Sequence, residues 1–236
     1  MTEHTVKSFG EQLEALSALV AQMGGLAEAQ LAAAIEAIAR RDSTAAERAV
    51  GGDKRIDEIQ QEIEERALKL LALRQPMAVD LRETLAAIKT AAELERIGDL
   101  AKNIAKRALV LNREPPIRLT QSLARMGKAA QNQLKQVLDA FSNRNAEEAE
   151  AVWNRDGEID EIYNSLFREL LTYMMEDPRN IGVCAHLLFC AKNIERMGDH
   201  ATNVAENVYY LVTGSKLLAE RVKADTTSLE RPASAI

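Results

Sequence analysis

Aromatic residues make up only 4% of this 236-residue chain, which also has just five prolines, three histidines and two cysteines. So few aromatics leave no stacking platform for bases. A net charge of −6 leaves no basic face for a phosphate backbone, so nucleic acid is not an expected partner. Cys184 and Cys190 cannot build a disulfide framework and read as free, buried thiols of a reducing compartment. No run approaches the roughly 18–20 apolar residues of a membrane span, and the start "MTEHTVKSFGEQLEALS" lacks the basic-then-apolar pattern of a secretory signal. These readings describe a soluble cytoplasmic protein without a transmembrane segment. The chain also lacks G-x-x-x-x-G-K-[ST], which excludes a P-loop, and nothing suggests a Ser/His/Asp triad. No histidine stands three residues after a glutamate, so the Glu-x-x-His ligand motif of di-iron oxidases is missing.

What is there is helix. Ala, Leu, Glu, Gln, Lys and Arg dominate, and apolar residues recur at spacings of three and four rather than alternating. Breaks fall near Arg41–Thr44, at Gln75-Pro76, at Pro115-Pro116, near Ser142–Asn145 and at Asp177-Pro178, with Asp42 and Asn145 as N-caps. The spacing predicts helices over 5–40, 43–74, 77–112, 117–142, 146–176 and 180–213. Long helices on short turns fold back on their neighbours. The expected fold is all-α, two tandem antiparallel three-helix bundles over 5–113 and 116–213, with a flexible tail over 214–236.

The two halves repeat each other. Glu95 to Ala105 and Glu195 to Ala205 share E-R-x-G-D-x-A-x-N-x-A, seven of eleven positions, and "DKRIDEI" at 53–59 matches "DGEIDEI" at 156–162 in five of seven. A generic bundle would repeat apolar positions, so acidic positions kept at fixed offsets indicate an internal duplication.

The repeated acids pair by one helical turn: Asp53 with Asp57, Glu95 with Asp99, Asp156 with Asp160, and Glu195 with Asp199. Residues four apart share a face, where like charges repel. Residues equidistant from a hairpin turn lie level. Asp53 with Asp99 and Asp57 with Glu95 both centre on position 76, while Asp156 with Asp199 and Asp160 with Glu195 centre between Asp177 and Pro178. Each half therefore gathers four carboxylates at one level, about 28 Å from its turn at about 1.5 Å per residue. Such a quartet must take up protons or hold a cation, and an all-oxygen donor set suits a hard divalent or trivalent metal, with Fe, Zn, Mg and Mn all acceptable. Asn103 and Asn203 extend each stripe as possible additional ligands. Gly98 and Gly198 mark close approach of a neighbour, more a matter of packing than of metal. An isolated D-x-x-x-D is ordinarily solvated or paired with an arginine such as Arg96 or Arg196. His200 points away from the acidic stripe, and His186 reads as a core histidine.

This stripe, written once per three-helix repeat and faced by D-x-x-x-D on the preceding helix, resembles the PhoU family of phosphate-transport regulators over roughly residues 5–213. The resemblance implies a cytoplasmic, commonly dimeric protein of two three-helix bundles. Asp53, Asp57, Glu95 and Asp99 would form one metal site, and Asp156, Asp160, Glu195 and Asp199 the other. It also implies a non-enzymatic repressor of the phosphate-starvation response that links a phosphate ABC transporter ATPase to a sensor histidine kinase, reaching the membrane through those partners. Two alternatives stand beside it: a di-metal carboxylate enzyme on a helical bundle, and a structural helical scaffold without metal.

Overall fold

A computed structural model describes residues 2–74 and 79–217. The turn expected at Gln75-Pro76 and most of the expected tail, residues 218–236, lie outside the described residues. Every regular element described is helical: α1 (Thr2–Ala39), α2 (Ser43–Arg74), α3 (Val79–Leu111), α4 (Thr120–Asn143), α5 (Ala146–Asn154), α6 (Gly157–Glu176) and α7 (Ile181–Thr213), with a single 3-10 turn at Pro178–Asn180 before α7.

The one departure from the six expected helices is the fifth, which breaks into α5 and α6. Around Arg155 the backbone tightens to three-residue hydrogen bonds, from Arg155 N to Val152 O and from Asp156 N to Trp153 O. Asn154 and Gly157, both poor helix formers, bracket the break. Buried Trp153 ties α5 to α7 by donating to Glu206 at 3.0 Å. Hydrophobic periodicity runs straight through this point and so hides the break.

Expected caps form. Asn145 Oδ1 accepts from the amides of Glu147 and Glu148, and Asp42 Oδ1 accepts from that of Ala45. Arg41 and Arg144, a repeat-equivalent pair, both end their helices at positive φ, 57° and 48°. Neither is the glycine that usually accepts this left-handed conformation. Their side chains find long-range partners instead, Arg41 on the carbonyl of Asn112 at 2.8 Å and Arg144 on the carboxylate of Glu83.

Helices α1, α2 and α3 pack as one bundle, and α4, α5, α6 and α7 as the other. The bundles then join through two further helix pairs, α3 with α7 and α1 with α4, so a continuous apolar core runs across both. The α1–α4 crossing is one contact made twice. A Cβ on Gly24 would collide with Leu138, and one on Gly127 would collide with Ile35. Gly127 and Leu138 are the repeat equivalents of Gly24 and Ile35, so each glycine notch receives the other helix's branched side chain, as at a two-fold interface.

Helix α1 is nonetheless long and apolar enough, by length and composition alone, to cross a membrane, with a mean hydropathy of 1.3 over a window inside Phe9–Ala39. Scattered polar residues and many alanines hide this from a search for unbroken apolar runs. In the fold the apolarity serves the core. Leu16, Val20, Met23, Ala27 and Leu31 are fully buried, and the helix packs against α2, α3 and α4.

Candidate functional site: two acidic quartets

The hairpin register expected from the sequence is met to within about two positions in both repeats. Gly98 on α3 lies level with Ile56 on α2, and Gly198 on α7 level with Ile159 on α6. That register brings the four carboxylates of the first set together, and in the second it brings Glu195, Asp199 and Asp160 together, with Asp156 beside them on Thr202. In the first, burial and then the Asp53 charge raise the Asp57 pKa, with Lys102 opposing and Asp99 adding. Burial and then Asp99 likewise raise Glu95, which also feels Asp57. In the second, burial raises Glu195 against the opposition of Lys192, and Asp199 and Asp160 add to the rise. Repulsion inside each quartet is what the spacing demands.

The quartets differ in depth. Asp53, Asp156, Asp160 and Glu195 are buried, whereas Asp57, Glu95, Asp99 and Asp199 are half-buried. They differ also in what neutralises them. In the first, the Lys102 ammonium binds Asp53 on α2 and, at 2.6 Å, Asp99 on α3. Burial disfavours its charged form, but the hydrogen bonds to Asp53 and Asp99 outweigh that and push its pKa up. The same contact, against the cost of burial, pulls Asp99 below the ordinary aspartate value. Arg96, outside, lies 3.4 Å from Glu95 and 3.9 Å from Asp99.

In the second repeat Thr202 stands where Lys102 does. Its hydroxyl donates to Asp156 Oδ1 at 2.8 Å, with the Gly198 carbonyl at 3.0 Å, and accepts from Gln133 Nε2 at 3.1 Å. Lys192, one turn before Glu195 on α7, meets it at 3.0 Å with its ammonium 5.0 Å from the Tyr163 ring centre.

The glycines of the stripe do serve packing. A Cβ on Gly98 would stand 3.1 Å from Gln30 Oε1 and 3.0 Å from Ile56 Cδ1; one on Gly198 would stand 3.3 Å from Gln133 Oε1 and 3.0 Å from Ile159 Cδ1. Gln30 and Gln133 are the residues that the sequence reading missed. Each sits buried on the first helix of its repeat with a side-chain oxygen lacking a hydrogen-bond partner among the described residues. Their offset of 103 matches that between Asp53 and Asp156, a signal that was available in the sequence.

Asn103 is exposed. Asn203 turns instead to the bundle interface, where its Nδ2 donates to Glu93 at 3.1 Å beside a 2.7 Å contact between Glu93 and His200 Nδ1. These contacts, after the cost of burial, lower the Glu93 pKa. His200 thus stays off the quartet, as expected, yet has a structural partner. His186 is half-buried rather than in the core, 3.2 Å from Arg107, whose guanidinium covers exposed Phe189. Cys184 and Cys190 are free and buried, as read from the sequence.

By donor chemistry each quartet suits a hard cation. As the side chains stand, no three carboxylate, thiol or imidazole groups among the described residues surround a point where one ion could sit. The first quartet already holds an ammonium.

An all-α duplication with a level acidic quartet in each repeat defines the class, and the chain belongs to the PhoU family: the PhoU domain model matches it twice, over residues 20–108 and 123–208. It is 57% identical over 229 residues to a phosphate-specific transport system accessory protein PhoU homolog of Caulobacter vibrioides, covering 97% of this chain and 100% of that one. Against the PhoU accessory protein of Escherichia coli K12 it is 39% identical, covering 91% and 89% of the two chains. The crystal structure of PhoU from Pseudomonas aeruginosa superposes with a TM-score of 0.85 at 38% identity, covering 88% of this chain and all of that one. The phosphate transport system regulatory protein PhoU from Streptococcus pneumoniae gives 0.81 at 30% identity, covering 89% and 99%.

Proposed function

We propose that this chain is a cytoplasmic accessory protein of a phosphate transport system that restrains phosphate uptake and represses the phosphate-starvation response. It does so without catalysis, by coupling the transporter ATPase to a sensor histidine kinase. The observation that carries this reading is similarity over nearly the whole chain to proteins named as accessory to phosphate-specific transport. Its two acidic quartets hold hard cations through Asp53, Asp57, Glu95 and Asp99, and through Asp156, Asp160, Glu195 and Asp199. A bound ion would supply the positive charge that lets four carboxylates share one level, fixing the angle between the helices that carry them.

Partner docking uses the hairpin ends. Leu68 and its equivalent Leu171 are 62% and 39% exposed, and Leu81 and its equivalent Ile181 are 36% and 50% exposed. Large apolar side chains left in solvent at repeat-equivalent places are supported by contact with another protein, a second copy of the chain included.

The test is secreted alkaline phosphatase activity of the source bacterium in phosphate-rich medium. Deleting the coding sequence is expected to raise it, and Asp99→Ala with Asp199→Ala at normal protein level is expected to raise it in part. Unchanged activity in the deletion strain, with no second copy in the genome, would overturn the repressor reading.

A further inference from the structure

Within the stripe the repeats differ in chemistry at Leu100/His200, which faces the bundle interface through Glu93, and at Lys102/Thr202, which faces the quartet. The lysine reaches from α3 across to Asp53 on α2 and along its own helix to Asp99, so one ammonium joins both helices that carry the quartet. A divalent ion in the first quartet would need oxygens from the same two helices. The lysine side chain is 23% exposed, so it has a path to solvent. Thr202 offers Asp156 a neutral hydroxyl instead, which cannot neutralise the carboxylate, and the ammonium that the second quartet does have, Lys192, meets Glu195 on its own helix.

We propose that Lys102 is a tethered cation in the seat of the first quartet, which must swing out before that quartet takes a divalent ion and which thereby weakens ion binding there. The proposal rests on the reading that the quartets bind hard cations. A site whose competent state is populated for a fraction of the time binds with an apparent Kd raised by the inverse of that fraction. A lysine seated nine-tenths of the time therefore weakens binding about tenfold. The first quartet becomes a site filled when divalent ion is abundant.

The test is Mn²⁺ titration of the full-length protein after chelator treatment and dialysis, read by calorimetry and by the Mn²⁺-dependent shift in thermal unfolding. Wild type is compared with Lys102→Met and with Lys102→Thr, which copies the second repeat and so installs a side chain the fold already accommodates there. Both substitutions are expected to tighten one site about tenfold or more and to enlarge the Mn²⁺-induced rise in Tm. Adding Asp57→Asn to Lys102→Thr should weaken that tightened site, assigning it to the first quartet. Equal affinity in wild type and both variants, at a site that Asp57→Asn weakens, overturns the role of Lys102 while leaving metal binding intact. No Mn²⁺ binding by wild type or folded variants overturns the metal reading and the proposal together.

Discussion

Replacing Thr202 by valine separates the polar logic of the second quartet from its packing. Thr202 is fully buried and valine has nearly its shape, so area bookkeeping makes Thr202→Val harmless. The hydrogen bonds say otherwise. The hydroxyl donates to the buried Asp156 carboxylate and accepts from the buried Gln133 amide, whose oxygen already lacks a partner among the described residues. A hydrogen bond to a charged group contributes about 1.5–3 kcal/mol and a neutral one about 1 kcal/mol, and a buried group left without its partner loses its share in full. The extra buried methyl returns about 0.8 kcal/mol. Net destabilisation is about 2–3 kcal/mol, a fall in Tm of roughly 5–10 °C for a chain of this size. Thr202→Ser keeps the hydroxyl and drops one methyl, costing about 1 kcal/mol. The two variants should thus order as serine above valine, the reverse of what hydrophobicity alone gives. Urea and thermal unfolding followed by circular dichroism, with chelator present, measure the order. Valine equal to or more stable than serine would refute the reasoning, and the Gln133–Thr202–Asp156 chain would then contribute nothing.

The quartets give a second prediction through their charge. Glu95→Gln relieves repulsion across one helical turn, so in chelator at neutral pH it should stabilise the protein by roughly 0.3–0.5 kcal/mol. Because burial and then Asp99 raise the folded-state pKa of Glu95, wild type gains stability as pH falls through that value, and the variant's advantage should fade there. Mn²⁺ should reverse the order of the two proteins, whereas a metal-free scaffold would show no reversal. At the bundle interface the sign is opposite. Glu93 has a lowered folded-state pKa, so its contribution is present above the ordinary glutamate value and lost as pH falls through the folded one. Glu93→Gln should therefore cost about 1–2 kcal/mol at neutral pH, with the gap to wild type closing in acid, as read by urea unfolding across pH. At the notched crossing, Gly127→Ala meets fully helical, β-branched, buried Ile35, whose χ1 has nowhere to go, and should cost about 1–3 kcal/mol. Gly24→Ala meets the terminal methyls of half-buried Leu138, which can rotate, and should cost less. Equal losses in thermal melts would deny the crossing its asymmetry.

Local, periodic features were legible in the chain itself. Helix type, most boundaries, the N-caps at Asp42 and Asn145 and the duplication follow from propensity, apolar spacing and repeated letters, because each depends on residues a few positions apart. The approach of the acidic pairs was legible too, since an antiparallel hairpin converts sequence offsets into a level, and Gly98 against Ile56 falls within about two positions of that level. The break between α5 and α6 was not, because it depends on anchoring Trp153 to Glu206 on another helix. Nor was the partner of each acid. That Lys102 folds back into its quartet, that Thr202 hands its hydroxyl to Asp156, and that Asn203 turns to Glu93 are choices among rotamers of flexible side chains. Packing of α2 on α3, α6 on α7 and α3 on α7 makes them. The joining of the two bundles, with Gly24 and Gly127 as reciprocal notches, likewise belongs to the tertiary structure. A glycine announces that something comes close, but what comes close is set by a helix about a hundred residues away.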